Sequence, residues 1–161
     1  MTEKKITTTY IECRIEELPS PIQALINAAK ESVKNSYAPY SHFNVGAALQ
    51  LNDGTVLTGN NQENASYPCG TCAERNVLNY ARANYPRQAV TDLAIIAAEK
   101  GHYTKNPLPP CGLCRQALLE TEQVQKQTLR LYLCGAEKVW VIPSAASLLP
   151  LQFDAEALHA E

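Results

Sequence analysis

The 161-residue sequence has no apolar run long enough to cross a membrane or to act as a secretion signal, and its opening Met1-Thr2-Glu3-Lys4-Lys5 leads into none. No membrane association is therefore expected, and the protein is expected in the cytoplasm, where thiols stay reduced. An excess of basic charge is also missing, the formal net charge being -2. That argues against a general electrostatic grip on nucleic acid and leaves a small ligand or a protein as partner. Internal repeats, low-complexity tracts and linkers are absent. Histidine is sparse, and His42, His102 and His159 show no pairing that points to metal ligation; surface or capping roles are expected for them.

What remains is a chain of the size of one ordinary domain, long enough to bury a core without disulfides. One domain is expected over residues 1-161, with 1-19 as an N-terminal extension. Residues 4-15 are rich in β-branched side chains, with Ile6, Thr8 and Tyr10 on one side, and an added edge strand is expected there. Ser20 as N-cap and Pro21 at the first helical position introduce Ile22, Leu25, Ile26, Ala29 and Val33 at helical spacing. Pro39 breaks the chain into a loop over Ser36 to Ser41. Phe43 to Leu51, the turn residues Asn52-Asp53-Gly54, and Val56-Leu57 predict a β-hairpin.

Gly59 to Tyr67 is polar and reads as a loop. A helix is predicted over Cys72 to Tyr85, with Ala73, Val77, Leu78 and Ala81 inward and Pro86 as its stop. Leu93 to Ala98 reads as a strand buried on both faces. After a loop over Lys100 to Pro109, Cys111 opens a helix to about Glu122. Leu129 to Cys134 and Lys138 to Ile142 read as strands, and Ser144 to Glu161 as short helical turns. Strands alternating with helices predict an α/β domain in which helices cover a mixed sheet.

Chemistry concentrates in two stretches. Tyr67-Pro-Cys-Gly-Thr-Cys-Ala-Glu-Arg-Asn-Val-Leu78 places Cys72 and Glu74 at the mouth of one predicted helix, and Pro110-Cys111-Gly112-Leu113-Cys114-Arg115-Gln116 places two thiols at the mouth of another. Three thiolates leave one position of a tetrahedral zinc open for water, whose protons a nearby carboxylate can move. Two helix N-termini and the Arg75 guanidinium offset the negative charge of such a centre. The competing reading joins Cys69 to Cys72 as one CxxC and Cys111 to Cys114 as another, which makes a closed structural site; a redox role is a third. Glu74 and Arg75 favour the open site, because a structural knuckle has no use for a carboxylate beside the metal. Cys13 and Cys134 lie in predicted strands and read as packed thiols. Taken alone, Asn61 and Glu63 read as solvated loop residues and Phe43 as core.

The chain resembles the small homotetrameric cytidine deaminases that act on free nucleosides, within the cytidine and deoxycytidylate deaminase family. The likeness runs from about Ile22 to Phe153. It rests on Tyr37-Ala-Pro-Tyr-Ser-His-Phe43, Asn61-Gln-Glu-Asn-Ala65, Thr71-Cys-Ala-Glu-Arg75, the Pro110 to Gln116 stretch, and Leu148-Leu149-Pro150 ahead of Phe153.

The resemblance implies a three-layer α/β/α fold with about five strands in a mixed sheet. It implies one zinc per subunit on Cys72, Cys111 and Cys114, whose hydroxide attacks C4 of cytosine, with Glu74 as proton shuttle. It further implies that Asn61 and Glu63 bond the ribose hydroxyls, that Phe43 packs on the nucleoside, and that Ala65, Tyr67 and Phe153 serve pockets shared between subunits of a homotetramer. Cys69 departs from the family, which usually has an apolar residue there, and is expected to point away from the metal; the N-terminal extension is a second departure. Cytidine and 2′-deoxycytidine are the expected substrates, in pyrimidine salvage. The rivals are a deaminase of a cytosine-bearing antibiotic such as blasticidin S, a zinc-stapled binding module closed by Cys69, and an editor of polynucleotides, against which the lack of basic charge argues.

Overall fold

A computed structural model describes residues 1-158, so the His159 expectation lies outside the described residues. In chain order the elements are β1 (Ile11–Arg14), α1 (Ser20–Ser32), β2 (Phe43–Leu51), β3 (Val56–Asn60), α2 (Ala73–Asn84), β4 (Val90–Glu99), β5 (His102–Tyr103), α3 (Gly112–Gln125), β6 (Arg130–Cys134), β7 (Lys138–Ile142) and α4 (Ala155–Leu158). One mixed sheet runs β1-β7-β6-β4-β2-β3, with β5 appended to β4. β4 and β6 pair in parallel, and α3 lies in the crossover between them.

The strands alternate between two cores. Ala47, Leu49, Leu93, Ile95, Leu131 and Leu133 face α2 and α3, whereas Ala48, Ala94, Ile96, Tyr132 and Cys134 face α1. Helices on both faces make three layers, and β4, covered on both sides, is the near-continuous apolar run that the sequence shows. On α1 the predicted stripe is buried, and Leu25 and Ile26, fully enclosed, contribute about 1.5-3 kcal/mol each.

Three expectations shift. The N-terminal strand is shorter than residues 4-15: it pairs with β7 only from Ile11↔Val141 to Arg14↔Lys138, and it forms the sheet edge. The cap of α1 is Pro19 rather than Ser20, with no side-chain cap bond. The loop after β4 contains the short β5.

The register decides where the chemistry can sit. Phe43, at the start of β2, pairs with Glu99 at the end of β4, and Gly46 pairs with Asn60 at the end of β3. One end of the sheet therefore collects the start of β2, the segment after β3 and the segment after β4, which lead into α2 and α3. The hairpin turn at the opposite end of β2 uses Gly54 at φ 88°.

Gly59 sets the distance of α2 from the sheet. A Cβ there would stand 2.9 Å from Val77 Cβ and 3.0 Å from both the Ala73 carbonyl and the Val77 nitrogen. Gly59→Ala is expected to lower the unfolding free energy by about 1-3 kcal/mol through overpacking, read as a lower urea midpoint. It is also expected to weaken metal retention, because the first turn of α2 has to move outward. An unchanged midpoint would overturn this account of how α2 is seated.

Candidate metal centre

Cys72 and Cys111 are the N-caps of α2 and α3. Each follows a proline-bearing segment, the turn Tyr67–Cys69 before Cys72 and the irregular stretch Pro107 to Pro110 before Cys111, and the two helix N-termini come to one point. The second segment is anchored on both sides. Thr104 N–H donates to the Ala97 carbonyl at 2.9 Å, and the Arg115 guanidinium bonds the Pro110 and Leu148 carbonyls at 2.9 and 3.1 Å.

Sγ of Cys72 lies 3.9 Å from Sγ of Cys111, which lies 3.5 Å from Sγ of Cys114, and all three sulfurs fall within 4.8 Å of one another. Tetrahedral zinc with bonds of about 2.3 Å places its sulfurs about 3.8 Å apart, so the spacing fits that ion. Among the described residues the group comprises these three cysteines alone; Cys69 is exposed and outside it. Cys13 and Cys134 stand apart too, packed against the α1 face.

Charge around the sulfurs favours an anion at Cys72. The Cys72 thiol is lowered to about 5, first by a hydrogen bond from the Cys114 thiol, against its partial burial, and then by the Arg75 guanidinium. Cys114 moves upward, through the same bond and its own burial. Arg75 bonds the Gly70 carbonyl at 3.3 Å, and its Nε is buried with no oxygen or nitrogen partner. A guanidinium with an orphaned donor beside thiols fits a negatively charged sulfur cluster. The two helix N-termini add positive potential at the same point.

Glu74 sits in the first turn of α2 with 4% of its surface exposed. Burial holds its carboxyl above the usual carboxylate range, and the charge of Cys72 raises it further. A carboxyl held this way changes protonation more readily near neutral pH than a solvated one.

A cleft of about 420 Å³ opens at Cys72, walled also by Asn61, Glu63, Tyr67, Arg75 and Leu113; Cys111, Cys114 and Glu74 lie outside its walls. Asn61 is strapped to β2: Val45 N–H donates to its Oδ1 at 2.8 Å and its Nδ2 donates to the Phe43 carbonyl at 2.9 Å. Phe43 is thus tied to the wall of the cleft, half-buried. Glu63 accepts from the Tyr40 and Ser41 N–H groups at 2.9 and 3.3 Å and from the Ser41 hydroxyl. Those bonds, the hydroxyl first, hold its carboxyl below the usual range, so it is ionised. Tyr67 is 77% exposed and Ala65 and Phe153 are exposed as well; Phe153 is tied back by its carbonyl, which accepts from Gln116 Nε2 at 2.9 Å. Ser41 is the residue that sequence reasoning left without a role. Its signal is a serine two residues ahead of a strand, where its hydroxyl can cap the Phe43 N–H at 3.0 Å.

A mixed sheet that delivers three thiols, a buried carboxyl and two helix N-termini to one end defines a metal-dependent α/β enzyme. The family described as "Cytidine and deoxycytidylate deaminase zinc-binding region" matches residues 19–129. The cytidine deaminase of Halalkalibacterium halodurans is 39% identical over 137 residues, 85% of this chain and 97% of that one. The crystal structure of cytidine deaminase from Burkholderia pseudomallei superposes with a TM-score of 0.71 at 43% identity, covering 81% of this chain and 98% of that chain. That from Mycobacterium tuberculosis gives 0.64 at 32%, covering 83% and 97%. The chain belongs to the cytidine and deoxycytidylate deaminase family. It is an enzyme of that family with a zinc-binding region, and its cysteine triad is placed to hold the ion. Among the described residues no helix is long and apolar enough to cross a membrane.

Proposed function

We propose that the protein hydrolyses cytidine and 2′-deoxycytidine to uridine and 2′-deoxyuridine with release of ammonia, as a cytoplasmic enzyme of pyrimidine salvage. The observation that carries this reading is the buried Glu74 carboxyl beside three mutually close thiols, on a chain 39% identical to a cytidine deaminase. Cys72, Cys111 and Cys114 would hold the zinc, which when bound would supply a Lewis acid able to make water a nucleophile near neutral pH. Glu74 takes a proton from the attacking water and delivers it to N3 of the cytosine ring; it then takes the proton of the hydroxyl left on C4 and delivers it to the amino group, so that the C4–N bond breaks, ammonia leaves and C4 becomes a carbonyl. Its raised pKa suits both halves of that task, since the same carboxyl has to accept and then donate. Arg75 offsets the charge on the sulfurs.

Asn61 and Glu63 read the sugar hydroxyls, and Phe43 packs on the nucleoside. A homotetramer completes the pocket, with Ala65, Tyr67 and Phe153 meeting substrate across subunit boundaries; the exposure of all three, and the place of Tyr67 in the wall of the open cleft, support that role.

The test is turnover by zinc-loaded protein of cytidine, 2′-deoxycytidine and free cytosine, followed by loss of ultraviolet absorbance, with light scattering on the same sample. Both nucleosides are expected to react, and cytosine to be rejected by about 10⁴-fold in kcat/KM, because the groups that bond the sugar stay unpaired. Equal rates on cytosine would remove the sugar-reading assignment, and inertness toward both nucleosides would remove the activity. A monomer that turns over at full rate would remove the shared pocket.

A further inference from the structure

We propose that Ser41 is a positioning residue for sugar recognition, locking Glu63 and Phe43 into one arrangement and leaving the Glu63 carboxylate a single acceptor site for a single hydroxyl. The proposal rests on the reading above in which Glu63 and Phe43 meet the nucleoside. The Ser41 hydroxyl stands between two groups that leave it no choice of direction. The Phe43 N–H can only donate, and it does so to Ser41 Oγ at 3.0 Å. An ionised carboxylate can only accept, so the hydroxyl proton has to point at Glu63 Oε1.

The chain is shaped for this contact. His42 adopts φ 56°, an uncommon conformation for a residue with a side chain, and its N–H closes a turn onto the Ala38 carbonyl at 3.0 Å. The left-handed residue swings the Phe43 N–H back over the Ser41 side chain. The same turn aims the N–H groups of Tyr40 and Ser41 at Glu63 Oε2, at 2.9 and 3.3 Å.

A carboxylate offers about four lone-pair sites. Oε2 spends its pair on the two backbone donors and Oε1 spends one on Ser41, which leaves one. Asn61, with Oδ1 and Nδ2 each engaged once on β2, retains one acceptor and one donor in the same cleft. Without the Ser41 hydroxyl, Oε1 has two open sites, the carboxylate can rotate, and the Phe43 N–H loses its partner. Binding to the sugar weakens while the reacting groups at Glu74 stay in place.

The experiment is a steady-state comparison on cytidine of wild type, Ser41→Ala, Ser41→Thr, Glu63→Gln and the Ser41→Ala/Glu63→Gln double variant, with zinc content measured for each. Ser41→Ala is expected to raise KM about 10-fold with kcat within about twofold of wild type, and Ser41→Thr, which keeps the hydroxyl, to recover most of that loss. In the Glu63→Gln background the serine change is expected to add less than it costs alone, because only its hold on the Phe43 N–H is then left in full. Additive losses, or a fall in kcat in place of the rise in KM, would overturn the positioning role. If Glu63→Gln raises KM and Ser41→Ala does not, the positioning role fails and sugar reading by Glu63 stands. If Ser41→Ala raises KM and Glu63→Gln does not, both fail.

Discussion

Glu74→Gln is expected to lower kcat on cytidine by about 10²- to 10⁴-fold while the protein keeps its zinc and its fold. Glutamine matches the size of the glutamate and occupies the same place in the first turn of α2, 4% exposed, but it cannot take a proton from water. Stability should move the other way. Burial raises the carboxyl in the folded chain above its unfolded value, so the native state binds the additional proton. Stability is therefore highest below the unfolded pKa and declines as pH rises toward the folded pKa, where the buried group ionises at a cost. The substituted amide never ionises, and at neutral pH the variant is expected to melt no lower than wild type. Zinc analysis, turnover and a melting curve on one preparation decide the matter. A variant with full activity refutes the proton-carrying role; one that has lost its zinc shows instead that Glu74 builds the site.

Much of this arrangement is legible in the sequence. The inward set Ala73, Val77, Leu78 and Ala81 follows from helical spacing, and all four are buried. β2 and β7 fall on the predicted residues, because apolar content and turn residues agree there. Where local preference stands alone, it misleads. Thr7, Thr8 and Thr9 have strand propensity, but pairing with β7 begins only at Ile11, so the chain before it is not strand. β5 leaves no trace in the pattern because two residues have no period; it forms because Lys100 and Gly101, at φ 51° and 82°, make a tight hairpin turn that folds His102 onto Glu99. The sulfur cluster can be read from two short motifs, whereas the contact between Ser41 and Glu63 spans 22 residues and depends on a left-handed His42. Spacing identifies groups that act from one helix turn; groups joined across loops emerge from the fold.

Cys114→Ala is expected to strip the chain of its zinc and its activity together, and Cys69→Ala to do neither. Cys114 has no exposed surface and lies in the first turn of α3, with its sulfur 3.5 Å from that of Cys111, so its removal leaves a two-sulfur site with no ligand near enough to replace it among the described residues. Zinc content is expected to fall from about one per chain to near zero. Two helix N-termini would then converge on one another without the anionic centre that screens them, and Arg75 would lose a thiolate neighbour, so the melting temperature should fall as well. Chelator-treated wild type is expected to show the same drop and to recover on adding zinc, which the variant cannot do. Cys69 supplies the control that separates an open site from a closed one. If four sulfurs hold the ion, Cys69→Ala loosens it and frees a position for water; if three hold it, zinc content and kcat stay at the wild-type level. X-ray absorption on the zinc-loaded protein gives the same answer independently, three sulfurs with one lighter neighbour against four sulfurs.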